Sequence, residues 1–136
     1  MGPTWLKIGI LYLIFGLGVG HYMSYTIHLN WASAHAHTNL LGMVVTSVIG
    51  LTLCVYPHLA ENGFGKITFW LYHIGVPIFL FSAYWVQIDP GFAHIFTFIG
   101  GPMVLIAIIL FTINLYVNLP TDIHKLNRKI NHKKHV

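Results

Sequence analysis

Ten histidines stand among 136 residues, and imidazole is a side chain well suited to holding a transition metal or a haem iron. Five of them lie inside or at the ends of strongly apolar stretches: His21, His35, His37, His73 and His94. The others lie in polar connections or in the tail, where a solvated histidine is the ordinary expectation: His28, His58, His124, His132 and His135. Ionisable side chains within a bilayer are costly and mark functional sites. The first group therefore supplies the candidate site residues.

The pair His35 and His37 is separated by Ala36 alone. On a helix, residues two apart point about 200° away from each other, so an unbroken helix cannot direct both rings at one ion. Each ring then faces a separate space. The two histidines are either interfacial side chains hydrogen-bonded to neighbours or water, or ligands that contribute to two separate cofactor sites.

The kind of cofactor follows from the other side chains. Imidazole suits zinc and copper, but closed zinc sites usually recruit cysteine or carboxylates as well, and this chain has one cysteine and three acidic residues. A haem iron needs only one or two axial histidines in an apolar cleft. The chain is 15% aromatic, which agrees with such a cleft but is also typical of membrane interfaces.

The remaining membrane histidines differ in depth. His21 and His94 lie near the outer ends of their stretches, within about two helical turns of the His35–His37 level, and are candidate secondary ligands or haem-propionate partners. His73 lies about 10 Å or more deeper, judged from the helical rise. Because Pro77 removes the hydrogen bond to the His73 carbonyl, His73 is either a structural residue at a kink or a further secondary ligand.

The composition requires a lipid environment. Hydrophobic residues make up 56% of the chain, charged residues 7%, and the mean hydropathy is +0.70, whereas soluble domains carry roughly 25% charged residues. These values exclude an ordinary soluble enzyme, a disordered chain and a soluble nucleic-acid binder. The single cysteine, Cys54, excludes a disulfide within the chain and a cysteine-rich zinc site.

Four stretches are apolar over the roughly 20 residues that a membrane-spanning helix needs. They cover residues 5–23, 32–56, 67–88 and 92–117. The sequence therefore predicts an all-α membrane protein with a four-helix transmembrane domain over residues 1–119. A basic tail follows over residues 120–136.

The basic residues predict the orientation. All seven Lys and Arg residues fall on one side of a chain that crosses four times, while the connections over residues 24–31 and 89–91 contain none. By the positive-inside rule, both termini are predicted to be cytoplasmic. We interpret the basic tail as a topology signal that lies near anionic lipid headgroups. We expect no nucleic-acid partner.

Two motifs carry a resemblance to a known family. His35-Ala-His-Thr-Asn-Leu-Leu-Gly42, followed by Tyr56-Pro57, resembles the haem-ligand helices of haem-copper oxidase subunit I. The likeness is closer to small four-helix bacterial membrane proteins described as cytochrome c oxidase subunit I-like. These proteins share the first motif and a second one that corresponds here to Phe69-Trp-Leu-Tyr-His-Ile-Gly-Val-Pro77. The likeness covers nearly all of the chain before the tail.

The resemblance implies one four-helix arc of the three that form subunit I, in a bacterial cytoplasmic membrane. A His-x-His helix of that family sends one imidazole to each of two neighbouring haem pores. A four-helix chain would rebuild this arrangement as a homotrimer with b-type haems between protomers. His37 matches a low-spin haem ligand, and His35 would serve the adjacent pore. The implied function is electron transfer or binding of a diatomic gas, NO or O2.

The chain also departs from the family. It has no His-Pro-Glu-Val motif, no vicinal histidine pair, no cross-linked tyrosine signature and no acidic residue within a predicted span. The resemblance therefore does not extend to oxygen reduction to water. Two alternatives stay open: a copper- or zinc-handling membrane protein, in which Met23 and Met43 would suit Cu(I), and a non-catalytic assembly subunit of a respiratory complex.

Overall fold

The structure is a computed structural model that describes residues 1–27 and 29–119. Within this part it contains four helices long and apolar enough to cross a membrane: Gly2–Thr26, Leu29–Val55, Gly63–Trp85 and Pro90–Asn118. These are called the first to fourth helices. They confirm the predicted all-α architecture with four spans and indicate a multi-pass membrane protein. The tail over residues 120–136 and His28 lie outside the described residues, so the division at residue 119 stays a prediction.

The helix ends follow from local side-chain chemistry. Asn62 precedes the third helix, and its Oδ1 accepts a hydrogen bond from the backbone N–H of Gly65 at 2.8 Å. Asp89 caps the fourth helix in the same way, accepting from the Phe92 N–H at 3.0 Å. Such caps satisfy N–H groups that have no partner within the helix. The third helix ends at Trp85 rather than at the predicted residue 88, and a short helix, His58–Glu61, precedes Asn62.

The third and fourth helices lie in close backbone contact. A Cβ added at Gly100 would lie 2.5 Å from the backbone nitrogen of Phe79, and one added at Gly75 would lie 2.9 Å from Cβ of Met103. Only glycine fits these two positions without moving a helix. Close approach of this kind stabilises helix pairs in lipid through van der Waals contact.

The first helix packs along the second and reaches the third through Trp5. Trp5 is fully buried and belongs to one cluster with Ile49, Leu53, Tyr72 and Val76. Many large apolar side chains are instead exposed on the outside of the bundle, among them Leu11, Ile14, Phe98, Leu105 and Tyr116. A soluble protein rarely exposes apolar surface so extensively. This surface is compatible with contact to the lipid bilayer.

The second helix is not uniform, which the sequence analysis did not predict. A 3-10 turn, Leu29–Trp31, leads into α-helix over Ala32–His37, then π-helix over Thr38–Val45, then α-helix over Thr46–Val55. The Thr46 hydroxyl and the Tyr72 hydroxyl both donate to the Leu41 carbonyl, at 3.0 Å and 2.7 Å. Wider π turns are uncommon and frequently occur at functional sites. The π segment begins directly after His37.

A buried amide joins the fourth helix to the connection between the second and third. Asn114 is fully buried, and its Nδ2 donates to the Leu59 carbonyl at 2.8 Å. Its Oδ1 accepts from the side chains of Asn62 at 2.7 Å and Asn118 at 2.9 Å. The network satisfies polar groups that would otherwise be unpaired in an apolar surrounding.

Candidate functional site

The structure places the rings of His35 and His37 on different flanks of the second helix. Nδ1 of His35 lies 2.9 Å from the Gly16 carbonyl oxygen of the first helix. The His37 ring lies beside the third helix, with its centroid 5.5 Å from that of Phe79. The predicted divergence of the two imidazoles is therefore confirmed. A single ion between them is excluded by this arrangement.

His35 lies half-buried between the first and second helices. A Cβ added at Gly20 would lie 2.8 Å from Cε1 of His35, and one added at Gly16 would overlap the side chain of Asn39. The two glycines therefore make room for the polar side chains of the facing helix. Nδ2 of Asn39 lies 3.4 Å and 3.3 Å from the two ring nitrogens of His35. This ring is enclosed by its neighbours on the flank of the first helix.

His37 is held by its own helix. Its Nδ1 lies 2.8 Å from the Ser33 carbonyl oxygen, and because a carbonyl can only accept, Nδ1 carries the proton. The lone pair is then on Nε2. Among the described residues, Nε2 of His37 has no hydrogen-bond partner, and the ring is half-buried. A histidine whose N–H donates to a carbonyl while the other nitrogen is free is the usual form of a metal ligand.

A hydroxyl pair fixes the third helix beside His37. Thr38 is fully buried, and its Oγ1 donates to the Ala34 carbonyl at 2.8 Å and lies 2.9 Å from the Tyr84 hydroxyl. Contributions from Thr38, Asn39 and Tyr84 were not predicted from the sequence. The signal was present, because Thr38 and Asn39 are polar residues within an apolar span, immediately after the histidine pair.

His73 lies in a separate aromatic cluster. Its Nδ1 donates to the Phe69 carbonyl at 2.8 Å, and its ring centroid lies 4.3 Å from that of Trp5 and 4.4 Å from that of Phe69. Nε2 of His73 and Nε1 of Trp5 are both buried and have no hydrogen-bond partner within the described chain. The free nitrogen of His73 is therefore enclosed by the protein rather than presented at a surface.

The five membrane histidines do not converge within one chain. His21 on the first helix and His94 on the fourth are exposed, and no group of three or more His, Cys, Asp or Glu among residues 1–27 and 29–119 is arranged to hold a metal ion. His58 bonds the Asn118 carbonyl through Nε2 at 3.1 Å. Of the predicted site residues, His37 alone combines a fixed ring with a nitrogen that is neither buried nor paired in this part of the chain.

Comparisons of the chain with models of known protein families, with curated proteins and with solved structures find no match. The resemblance to the haem-copper oxidase family therefore stays a prediction.

Proposed function

We propose that this protein is a b-type haem-binding integral membrane protein that transfers electrons or binds a diatomic gas, NO or O2. His37 is the principal axial ligand in this proposal. His35 is a second axial ligand that faces a different haem, as the family resemblance implies. The membrane is the bacterial cytoplasmic membrane, with both termini on the cytoplasmic side.

The observation that carries the proposal is the state of the His37 ring. The Ser33 carbonyl takes the Nδ1 proton at 2.8 Å, which orients the ring and leaves the Nε2 lone pair directed away from its own helix. The adjacent ring of Phe79 limits rotation of the imidazole. Both features lower the entropy lost when an iron binds.

A single chain leaves His37 on an outer flank, which bears on how a haem would be enclosed. Three clefts of the described residues are lined by side chains other than His37, near Glu61 and Lys66 at one end of the bundle and near Tyr22 and Trp31 at the other. A haem on His37 therefore requires a second surface to cover it. A homotrimer with haems between protomers supplies that surface, and it is the assembly we propose.

His35 fits a haem less readily than His37 does. Its Nδ1 donates to the Gly16 carbonyl, so its Nε2 also carries the lone pair. However, the Asn39 amide lies 3.3 Å from that nitrogen and helix contacts enclose the ring. Ligation by His35 requires the amide of Asn39 to turn aside. We therefore assign the stronger ligand role to His37.

When bound, the haem iron would supply a reversible one-electron change or an open position for a gas. The residues of the chain have other tasks. The Ser33 carbonyl holds the proton of His37 on Nδ1, Phe79 restricts the ring, and the Thr38–Tyr84 contact keeps the third helix beside it.

An absorption spectrum tests the proposal directly. Full-length protein purified from haem-replete membranes should show a Soret band and visible bands that sharpen on reduction with dithionite. Carbon monoxide added to the reduced protein distinguishes the two activities, because it shifts the spectrum only where the iron has an open position. Colourless protein would overturn the proposal. Stoichiometric copper or zinc without porphyrin absorption would establish the metal-handling alternative instead.

A further inference from the structure

A cleft of about 540 Å³ opens at the end of the bundle opposite the histidine pair. It lies where the first helix begins, the second ends and the third begins, so its lining comes from three helix ends. The lining includes Pro3, Leu53, Cys54, Pro57, Glu61 and Lys66. Its volume is within the range of about 300–1,000 Å³ typical of small-molecule sites. None of the candidate haem ligands contributes to it.

The cleft contains an unusual concentration of charge for this chain. The described residues carry only four charged side chains, those of Lys7, Glu61, Lys66 and Asp89, and two of opposite sign line this one cleft. Glu61 and Lys66 form no ion pair with each other in the structure, and both are exposed. One side-chain carboxylate and one side-chain ammonium are therefore available to a ligand, next to the amino terminus on Met1.

Apart from Met1, which carries the amino terminus, the rest of the lining is mostly apolar. Pro3, Leu53 and Pro57 give the cleft a hydrocarbon surface next to the two charges. Because the cleft lies at the ends of membrane-spanning helices, this surface is at the level where lipid headgroups meet acyl chains. A ligand that matches both parts is an amphiphile with one positive and one negative group.

We propose that this cleft binds a zwitterionic phospholipid with a primary ammonium, phosphatidylethanolamine. Lys66 pairs with the phosphate and Glu61 accepts hydrogen bonds from the ammonium, while the apolar lining contacts the glycerol and the first part of an acyl chain. Charge-assisted hydrogen bonds of this kind are the stronger ones in proteins. Phosphatidylcholine lacks N–H groups to donate to Glu61, and an anionic phospholipid leaves the Glu61 carboxylate facing a like charge.

Cys54 can report whether the cleft is occupied. Cys54 lines the cleft, is exposed and is the single cysteine of the sequence. The rate at which it reacts with N-ethylmaleimide therefore measures how far a bound molecule covers the cleft. The reagent crosses membranes, so the measurement does not depend on the orientation of the protein in a vesicle.

The experiment compares full-length protein in vesicles of phosphatidylcholine alone, with added phosphatidylethanolamine, and with added phosphatidylglycerol. Phosphatidylethanolamine should slow the labelling of Cys54 severalfold relative to the other two compositions. Equal rates in all three would overturn the proposal, and so would protection by phosphatidylglycerol that matches protection by phosphatidylethanolamine. Soluble phosphoethanolamine, added to phosphatidylcholine vesicles, should not protect; equal protection by it would show a free headgroup site rather than a lipid site.

Variants provide the second arm. Glu61→Gln and Lys66→Gln should each abolish the protection by phosphatidylethanolamine. Lys7→Gln is the matched control, because Lys7 is exposed but does not line the cleft, and it should retain the protection. Retained protection in both cleft variants would contradict the charge assignment. Should a cleft variant fail to fold, the comparison of lipids with the unaltered chain decides the proposal alone.

Discussion

His37 and His73 are oriented by the same local contact: each Nδ1 donates to the carbonyl oxygen four residues earlier, at 2.8 Å. Each ring therefore carries its lone pair on Nε2. The two differ in what surrounds that nitrogen, since Nε2 of His73 is buried among aromatic rings whereas Nε2 of His37 is not. The same tautomer thus occurs in a candidate ligand, His37, and in an enclosed core residue, His73.

This difference predicts opposite outcomes for two substitutions. His37→Ala should lower the haem content per chain, because it removes the proposed principal axial ligand and with it the haem on that flank of the second helix. His73→Phe should keep the spectrum and leave stability unchanged or raised by about 1 kcal/mol, because an apolar ring of similar shape removes an unpaired buried nitrogen. Haem content per chain and the midpoint of thermal unfolding measure both effects. Loss of haem in His73→Phe would assign His73 to the site instead.

The glycines of the first helix allow a matched series. Gly16→Ala and Gly20→Ala should each destabilise the protein by about 1 kcal/mol, because the new methyl group displaces the end of the Asn39 or His35 side chain from its hydrogen bonds. Gly18→Ala is the control, since a Cβ there has no atom within 4 Å. Thermal unfolding in micelles, followed by circular dichroism, measures the three variants. Equal losses in all three would show a general intolerance of the helix rather than contact with the second helix.

The two hydroxyl donors on the Leu41 carbonyl predict a coupling between distant positions. Tyr72→Phe and Thr46→Val should each cost about 1 kcal/mol, the usual contribution of one hydrogen bond. The double variant should cost more than the sum, because the carbonyl then loses both side-chain donors. Thr52→Val is a control, since its hydroxyl bonds the Val48 carbonyl of its own helix. Strict additivity in the double-mutant cycle would contradict a shared acceptor.

Replacing the Asn114 amide is expected to lower the stability of the protein strongly. Asn114→Leu should destabilise the protein by about 2–3 kcal/mol, because it leaves the Leu59 carbonyl and the Asn62 amide without their buried partner. Thr112→Val, on the exposed face of the same helix, should change the unfolding midpoint little, since its hydroxyl bonds only the Ile108 carbonyl. A loss in Thr112→Val that equals the loss in Asn114→Leu would refute the buried network as the cause.

Hydropathy was sufficient to predict the four helices, because lipid requires long apolar helices whatever their packing. The divergence of His35 and His37 was also predictable, since it depends only on the angle between neighbouring residues of a helix. The buried state of His73 was not, because it depends on Trp5 of another helix. Asn114 carried a signal in the sequence, a lone amide within an apolar span. Its hydrogen bonds with Leu59 and Asn62 were not predictable, because they depend on how the connection between the second and third helices folds against the fourth.

The π segment Thr38–Val45 sets how far Ala32–His37 is rotated about the helix axis relative to Thr46–Val55. Regular α-helix over the same eight residues would turn the histidine pair relative to Thr46–Val55, because each residue of a π turn advances through a smaller angle than the roughly 100° of an α-helix. His35 would then leave the Gly16 carbonyl, and His37 would leave Phe79. The directions of the two rings therefore depend on the wider turns of Thr38–Val45 as well as on the His-x-His spacing.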